Sequence, residues 1–313
     1  MLEVEGLTKY YPSGVIRKQY AKAVDGVSFK IGKGKTLGLV GESGCGKTTI
    51  GRLILRLIEP TAGKVLFDGI DLLALKRKEL RAIRSRMQMI FQDPDSSLDP
   101  RMKIGTSIAE PLKLQGATPK DKIGQKILEL VETVGLHPEH INRYPYQLSG
   151  GQNQRVVLAR ILAMNPDLII ADEPTSSLDV SVQAQILNLM MDLQSTFGHT
   201  YLFITHDLDV VRIMADHIAV MYLGRIVEIG KTHDIFNGAK HPYTHALLSA
   251  AMMEPAAGQR ERVILKGETP GPTDIPAGCR FHTRCIRREE ICMLKDPETV
   301  EVGDGHYVAC HFV

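Results

Sequence analysis

The segment Gly41-Glu-Ser-Gly-Cys-Gly-Lys47-Thr48 has the spacing G-x-x-x-x-G-K-[ST]. Glycines in this pattern let successive backbone N–H groups curl around phosphate oxygens, and the helix that follows adds its positive N-terminal end. Lys47 is then placed to reach the β- and γ-phosphates, and the Thr48 hydroxyl to bind Mg²⁺. An ordinary glycine turn before a helix is the bland alternative. Such a match arises by chance in roughly one chain in a hundred at average composition, and its strand–loop–helix setting lowers that further. The pattern specifies a phosphate site.

Leu168-Ile-Ile-Ala171 runs apolar into Asp172-Glu173. A strand ending in two acids can place Asp172 near a metal, while Glu173 polarises the water that attacks a γ-phosphate. A buried strand ending in acids is common by itself; beside a phosphate loop it gains meaning. Leu148-Ser149-Gly150-Gly151-Gln152 is a second anion-binding helix start, with Ser149 as N-cap and glycines baring backbone N–H groups. One nucleotide and two such helix ends invite a dimer in which each chain completes its partner's site.

These segments need elements to hold them. Thr36-Leu-Gly-Leu-Val40 reads as a strand buried on both faces and leads into the glycine-rich loop. The helix after it carries Ile50, Leu53, Ile54, Leu57 and Ile58 on one stripe. Leu168–Ala171, Tyr201–Ile204 and Ile218–Met221 read as further buried strands separated by helical stretches, which implies a parallel α/β sheet. Val27–Ile31 alternates like a half-buried strand, and Val65–Phe67 and Arg225–Ile229 look like strands of an antiparallel layer. Residues 93–164 hold helical patterning and no convincing strand, as expected of a helical subdomain. After Phe236, Pro255, Pro270, Pro272 and Pro276, with Gly258, Gly267, Gly271 and Gly278, predict a loop-rich tail able to bury little core.

The chain has 313 residues, 43% of them hydrophobic and 24% charged, so wholesale disorder is excluded. Its 38 Lys and Arg against 36 Asp and Glu leave a net charge of +2, which argues against a broad basic face for nucleic acid. No run approaches the ~18 apolar residues of a membrane helix. The opening Met1–Gly6 lacks the layout of a signal peptide, so a cytosolic chain that reaches a membrane through partners is expected. Cys279, Cys285, Cys292 and Cys310 cluster near the end, and in a reducing compartment clustered thiols point to metal more than to disulfides. Four thiolates can hold a [4Fe–4S] cluster or tetrahedral zinc. Their spacing of five, six and seventeen intervening residues lacks the close Cys-x₂-Cys pairs of zinc ribbons and common ferredoxin runs, and free thiols are the third alternative. Cys45 reads as a small filler of the phosphate cradle.

The loop at 41–48, Gln92 in Phe-Gln-Asp-Pro, Leu148–Gln152, Asp172-Glu173, Ser177-Leu-Asp179 and His206 in Thr-His-Asp occur in an order that resembles the ATP-binding cassette (ABC) ATPases over about residues 1–235. The resemblance implies a P-loop α/β cassette with a mostly parallel sheet core, an antiparallel β layer and a helical subdomain at about 93–164. It implies that Tyr11 stacks on adenine, with Tyr10 beside it as a competing candidate, and that Gly41, Ser43, Gly44, Cys45, Gly46, Lys47, Thr48 and Thr49 hold the phosphates. Thr48, Gln92 and Asp172 would hold Mg²⁺, and Gln92 would link the site to a transport partner. Glu173, His206 and Gln92 would be catalytic, while Ser149, Gly151, Gln152 and Asp179 would act across a dimer.

Residues 236–313 resemble the C-terminal extension of the oligopeptide/dipeptide importer branch, through His241-Pro-Tyr243 and the motif Gly278-Cys-Arg-Phe-His-Thr-Arg-Cys285, Cys292 and Val308-Ala-Cys310-His. Ser97–Met102 and Glu110–Leu112 look more like the second, F-type, of that branch's paired ATPases. The resemblance implies ATP-driven import of peptides or related solutes, with nickel complexes and oligosaccharides as other cargoes of the branch. Implied partners are two permease subunits, a sister ATPase or second copy, and an extracytoplasmic solute-binding protein, at the cytoplasmic face of a prokaryotic membrane, with no nucleic acid. It also implies [4Fe–4S] on the four cysteines, with zinc as the alternative. Competing readings are a soluble ABC-type ATPase of repair or translation and an ATP-dependent regulatory adaptor. One compact cassette with no long heptad segment counts against the former, and Glu173 with His206 against the latter.

Overall fold

A computed structural model describes residues 1–13, 19–251, 265 and 267–313. In chain order the elements begin β1 (Leu2–Ser13), β2 (Gln19–Ile31), β3 (Thr36–Val40), α1 (Lys47–Ile54), β4 (Ala62–Phe67) and β5 (Ile70–Asp71). There follow α2 (Arg77–Arg84), β6 (Met87–Ile90), α3 (Ile104–Gln115), α4 (Ile123–Thr133), α5 (Gly150–Leu162), β7 (Leu168–Asp172), α6 (Val180–Phe197) and β8 (Thr200–Thr205). The chain closes with α7 (Leu208–Met214), β9 (His217–Tyr222), β10 (Arg225–Lys231), α8 (Thr232–Gly238), α9 (Pro242–Ala251), α10 (Glu290–Leu294), β11 (Thr299–Gly303) and β12 (His306–Ala309). It divides into two compact units, Met1–Ala74 with Phe203–Val313, and Leu75–Leu202.

The first unit holds an antiparallel sheet of order β2-β1-β4-β5. Leu2 and Val4 pair with Ile31 and Phe29 on one side and with Phe67 and Val65 on the other, so one apolar face is shared by three strands. All six of these side chains are buried. In its other sheet β3 runs parallel to β9, with Leu37 opposite His217 and Val40 opposite Val220. All five residues of β3 are buried, as its continuous apolar run predicts. Gly38 lets α7 approach, because a Cβ there would lie 2.5 Å from Val211 Cγ1.

Two expectations need correction. Arg225–Ile229 does not join the antiparallel layer: β10 pairs antiparallel with β9, Arg225 opposite Tyr222. The reason is the two-residue connection Leu223-Gly224, with φ of 42° and 83°, the positive pair that a type I′ turn demands and that folds the strand straight back. The tail is also less loop-like than its prolines suggest. β12 pairs with β10, Glu228 opposite Val308, and β11 pairs with β12. Tyr243, Leu248 and Phe281 sit in the same buried cluster as Val220 and Tyr222, with Cys279 and Cys285 packed against it. Pro255 and Gly258 lie outside the described residues. A smaller difference is that α1 ends at Ile54, where the chain turns at Arg56 (φ 49°), so Leu57 is 47% exposed and off the predicted stripe.

In the second unit β6 and β7 are parallel, Met87 opposite Leu168 and Ile90 opposite Ala171. No strand lies between Ile90 and Leu168, as the helical patterning predicts. There α3, α4 and α5 pack on one another, and Ile108, Leu112, Val131 and Val156 on them are buried. Arg155 Nη1 caps the end of α4 by donating to the Val134 carbonyl, at 2.6 Å.

Candidate nucleotide-binding site

In the first unit, β3 delivers the chain into the loop 41–46 and α1 begins at Lys47. Gly41 and Gly46 have φ of 153° and 110°, and a Cβ would lie 2.2 Å from the Met221 carbonyl oxygen at the former and 2.1 Å from that of Ala23 at the latter. Only glycine permits both the backbone and the approach. The amine of Lys47, which is 6% exposed, is drawn back onto its own loop, donating to the carbonyls of Gly41 at 2.7 Å and Glu42 at 3.0 Å. Ser43 and Gly44 are exposed, and Thr48 and Thr49 are half-buried in the first turn of α1. Cys45 is buried, as its filler role predicts, and burial raises its thiol pKa despite the nearby Lys47 charge.

The two tyrosines of β1 separate cleanly. Tyr10 donates its hydroxyl to Asp25, whereas Tyr11 is 38% exposed with the Lys9 amine 5.0 Å above its ring. Tyr11 is thus the one presenting an aromatic face. His206 is exposed at the end of β8, just before Asp207, which caps α7 by accepting from the N–H groups of Asp209 and Val210.

In the second unit the buried strand β7 ends in Asp172, 4% exposed, and the chain turns at Glu173. Glu173 has φ 47°, a left-handed conformation that a side-chain-bearing residue holds only at a cost of about 1–3 kcal/mol. Gln92 donates from Nε2 to Glu173 Oε2 at 3.1 Å, so two of the three expected catalytic residues meet. Ser149 and Gln152 form a reciprocal capping box at the start of α5, with Gln152 N–H on Ser149 Oγ and Ser149 N–H on Gln152 Oε1. A Cβ on Gly151 would lie 2.4 Å from Val182 Cγ1, so this glycine permits α5 to meet α6. Asp179 is the N-cap of α6; the Val182 N–H and Ser181 hydroxyl hold its carboxyl below the usual range.

The four clustered cysteines all have free thiols. Among the described residues, no group of three or more His, Cys, Asp or Glu is arranged to hold a metal ion. Burial, then the neighbouring thiols Cys292, Cys285 and Cys310, push the Cys279 thiol up to about 11. The Cys279 N–H donates to the Cys292 carbonyl at 2.8 Å, and Gly278 allows that approach, since a Cβ there would lie 2.4 Å from the same oxygen. Cys285 Sγ accepts from the Arg287 N–H at 3.4 Å.

Sequence reading missed a second set of residues. Arg284 donates from Nη1 to both carboxylate oxygens of Glu42, at 3.0 and 2.8 Å, and Tyr243 accepts at its hydroxyl from the Glu42 N–H at 3.0 Å. The local signals are an acid inside the phosphate loop and a base beside Cys285. Nothing in the sequence joins positions 242 residues apart.

A family described as "ABC transporter" matches residues 24–176, and one described as "Oligopeptide/dipeptide transporter, C-terminal region" matches residues 227–292. The chain is 49% identical to the oligopeptide transport ATP-binding protein AppF of Bacillus subtilis (strain 168), over 99% of this chain and 97% of that one. Among solved structures it resembles the ATP-binding cassette MJ0796, seen as a dimer in a post-hydrolysis state bound to ADP and Pi. That likeness has a TM-score of 0.67 and 32% identity, over 74% of this chain and 99% of that chain. It also resembles CbiO1 of Clostridium perfringens, part of the ABC transporter complex CbiONQ, with a TM-score of 0.67 and 28% identity over 76% of this chain and 90% of that chain. The chain therefore belongs to the ABC transporter ATP-binding proteins, in the branch that carries the oligopeptide/dipeptide transporter C-terminal region.

Proposed function

We propose that this chain hydrolyses ATP to power the import of di- or oligopeptides through a membrane transporter. The observation that carries the reading is the full-length likeness to an oligopeptide transport ATP-binding protein in a chain that keeps every ATP-site residue type. Gly41, Ser43, Gly44, Cys45, Gly46, Lys47 and Thr49 bind the phosphates, and Tyr11 stacks on adenine. Thr48, Asp172 and Gln92 offer Mg²⁺ the oxygen donors that it prefers. Glu173 takes the proton of the attacking water, and His206 with Gln92 orients that water. Ser149, Gly151, Gln152 and Asp179 serve the nucleotide of the opposite subunit. The partner is a sister ATPase or a second copy, together with two permease subunits and a solute-binding protein, at the cytoplasmic face of the membrane. Residues 1–235 make up the ATPase, and residues 236–313 its extension.

The cysteines of that extension form a metal-binding module. Among the described residues the four thiols are not gathered around one metal position. The thiols nonetheless lie close enough for each charge to bear on Cys279. Four thiolates could hold a [4Fe–4S] cluster, with zinc as the alternative, and the N–H bond to Cys285 Sγ is of the kind that tunes such clusters. When bound, the cluster would be a structural or sensing group outside hydrolysis.

The test is reconstitution of the chain with its permease and sister subunits in vesicles. ATP-dependent uptake of a labelled tripeptide, with phosphate release stimulated by peptide and binding protein, is expected. Hydrolysis indifferent to peptide would overturn the cargo, and no hydrolysis by the full assembly would overturn the ATPase reading.

A further inference from the structure

Three contacts from the C-terminal region converge on one residue of the phosphate loop. Arg284 Nη1 grips both Glu42 carboxylate oxygens and also donates to Thr269 Oγ1 at 3.0 Å, while the Thr269 hydroxyl donates to Glu42 Oε2. The Tyr243 hydroxyl takes the Glu42 N–H, and the Glu42 carbonyl accepts from Lys47. Backbone N–H, backbone carbonyl and side chain of this residue are thus all held.

The surroundings make these contacts stiff. Tyr243 is fully buried, and its ring packs against Tyr222 and Phe281 at centroid distances of 4.7 and 5.3 Å. Tyr222 in turn lies under the Arg284 guanidinium, 5.9 Å away. The Arg284 side chain is 8% exposed, so solvent screens its ion pair little.

Charge gives the arrangement a consequence for ligand binding. A carboxylate inside a loop built to hold phosphate repels that ligand unless it is neutralised, and here the neutralising cation comes from the segment between Cys279 and Cys285. We propose that Arg284 and Tyr243 are positioning residues for the phosphate loop, and that the C-terminal region acts as a clamp in cis which neutralises and orients Glu42 and so sets the affinity for a nucleoside triphosphate. This rests on the reading of the loop as an ATP site. It also makes the cysteine-bearing segment and the nucleotide energetically linked, since whatever displaces residues 279–285 loosens the loop, and the coupling is reciprocal.

The experiment is a double-mutant cycle on the full chain, reading the Kd for MgATP by calorimetry and the melting temperature without nucleotide. Arg284→Gln should weaken MgATP about tenfold, inside the range usual for coupled sites. Arg284→Lys, which keeps the charge but loses the planar guanidinium over Tyr222, should fall between wild type and Arg284→Gln. Glu42→Gln combined with Arg284→Gln should recover most of the loss, because the uncompensated carboxylate is gone, with Glu42→Gln alone closing the cycle. Tyr243→Phe should weaken binding about threefold, the worth of one ordinary hydrogen bond. If Arg284→Gln does not fold, the lysine and phenylalanine variants carry the test. Wild-type Kd values with only a lowered melting temperature would overturn the clamp. So would an equal loss in Arg284→Gln, Arg284→Lys and the double variant, which would mark lost packing. Failure of the wild-type chain itself to bind MgATP would instead overturn the ATP reading, and the clamp with it.

Discussion

Glu173→Gln separates chemistry from architecture in this site. The substitution keeps the size of the side chain and an oxygen able to accept from Gln92 Nε2, the contact seen at 3.1 Å. It removes the carboxylate that would take the proton of the attacking water. A positioned general base contributes about 10²–10⁴-fold, so steady-state phosphate release should fall by that factor, an increase of roughly 3–5 kcal/mol in the barrier. Stability should change by less than about 0.5 kcal/mol, because glutamine meets the same left-handed backbone and Glu173 is only half-buried. Glu173→Gly should lose hydrolysis as well while relieving the φ of 47°. Net of the extra freedom glycine gives the unfolded chain, it should gain up to about 1 kcal/mol. Phosphate release, MgATP affinity and urea denaturation of the three proteins decide the matter. With ATP, the glutamine variant should also persist as a nucleotide-bound dimer by light scattering. Undiminished phosphate release from Glu173→Gln would refute the assignment of the base.

Other expectations follow from the same structure. Gly46→Ala forces a Cβ against the Ala23 carbonyl at φ 110°; urea denaturation should show a loss of about 2–5 kcal/mol, and MgATP binding should vanish. His241 is 1% exposed, and burial lowers its pKa to about 3. The unfolded chain then binds the extra proton first, so stability falls as pH drops from about 6.5 toward 3. The cost is about 1.4 kcal/mol per pH unit, or ~2 kcal/mol between pH 7 and 5. His241→Asn, which keeps an acceptor for the Tyr243 N–H, should flatten that part of the profile, and equal slopes in the two proteins would refute the account. Anaerobically purified protein should contain about four irons and four acid-labile sulfides per chain, whereas about one zinc without sulfide would put a zinc site in place of the cluster.

Much of the site was legible because its chemistry is local. Gly41–Thr48, Leu148–Gln152 and Asp172-Glu173 each lie within one short segment, where residue type and spacing dictate which backbone groups face a ligand. The strands β3, β7 and β9 were legible for a similar reason, since a run buried on both faces needs continuous apolar residues. Pairing was less so. That β10 returns beside β9 depends on Leu223 accepting a positive φ, which its residue type disfavours. The prolines of the tail concealed a hairpin whose stability comes from the edge of β10 and not from its own sequence.

The amino-acid sequence by itself determined that this chain handles nucleotide phosphates, because anion-binding loops and their acids are written in contiguous residues. Only the tertiary structure decided which tyrosine of β1 presents its ring, that Gln92 meets Glu173, and that Arg284 and Tyr243 hold Glu42. Those are meetings of side chains far apart in sequence, and hydrogen bonds and ion pairs depend on distance in space, which residue spacing along the chain does not encode.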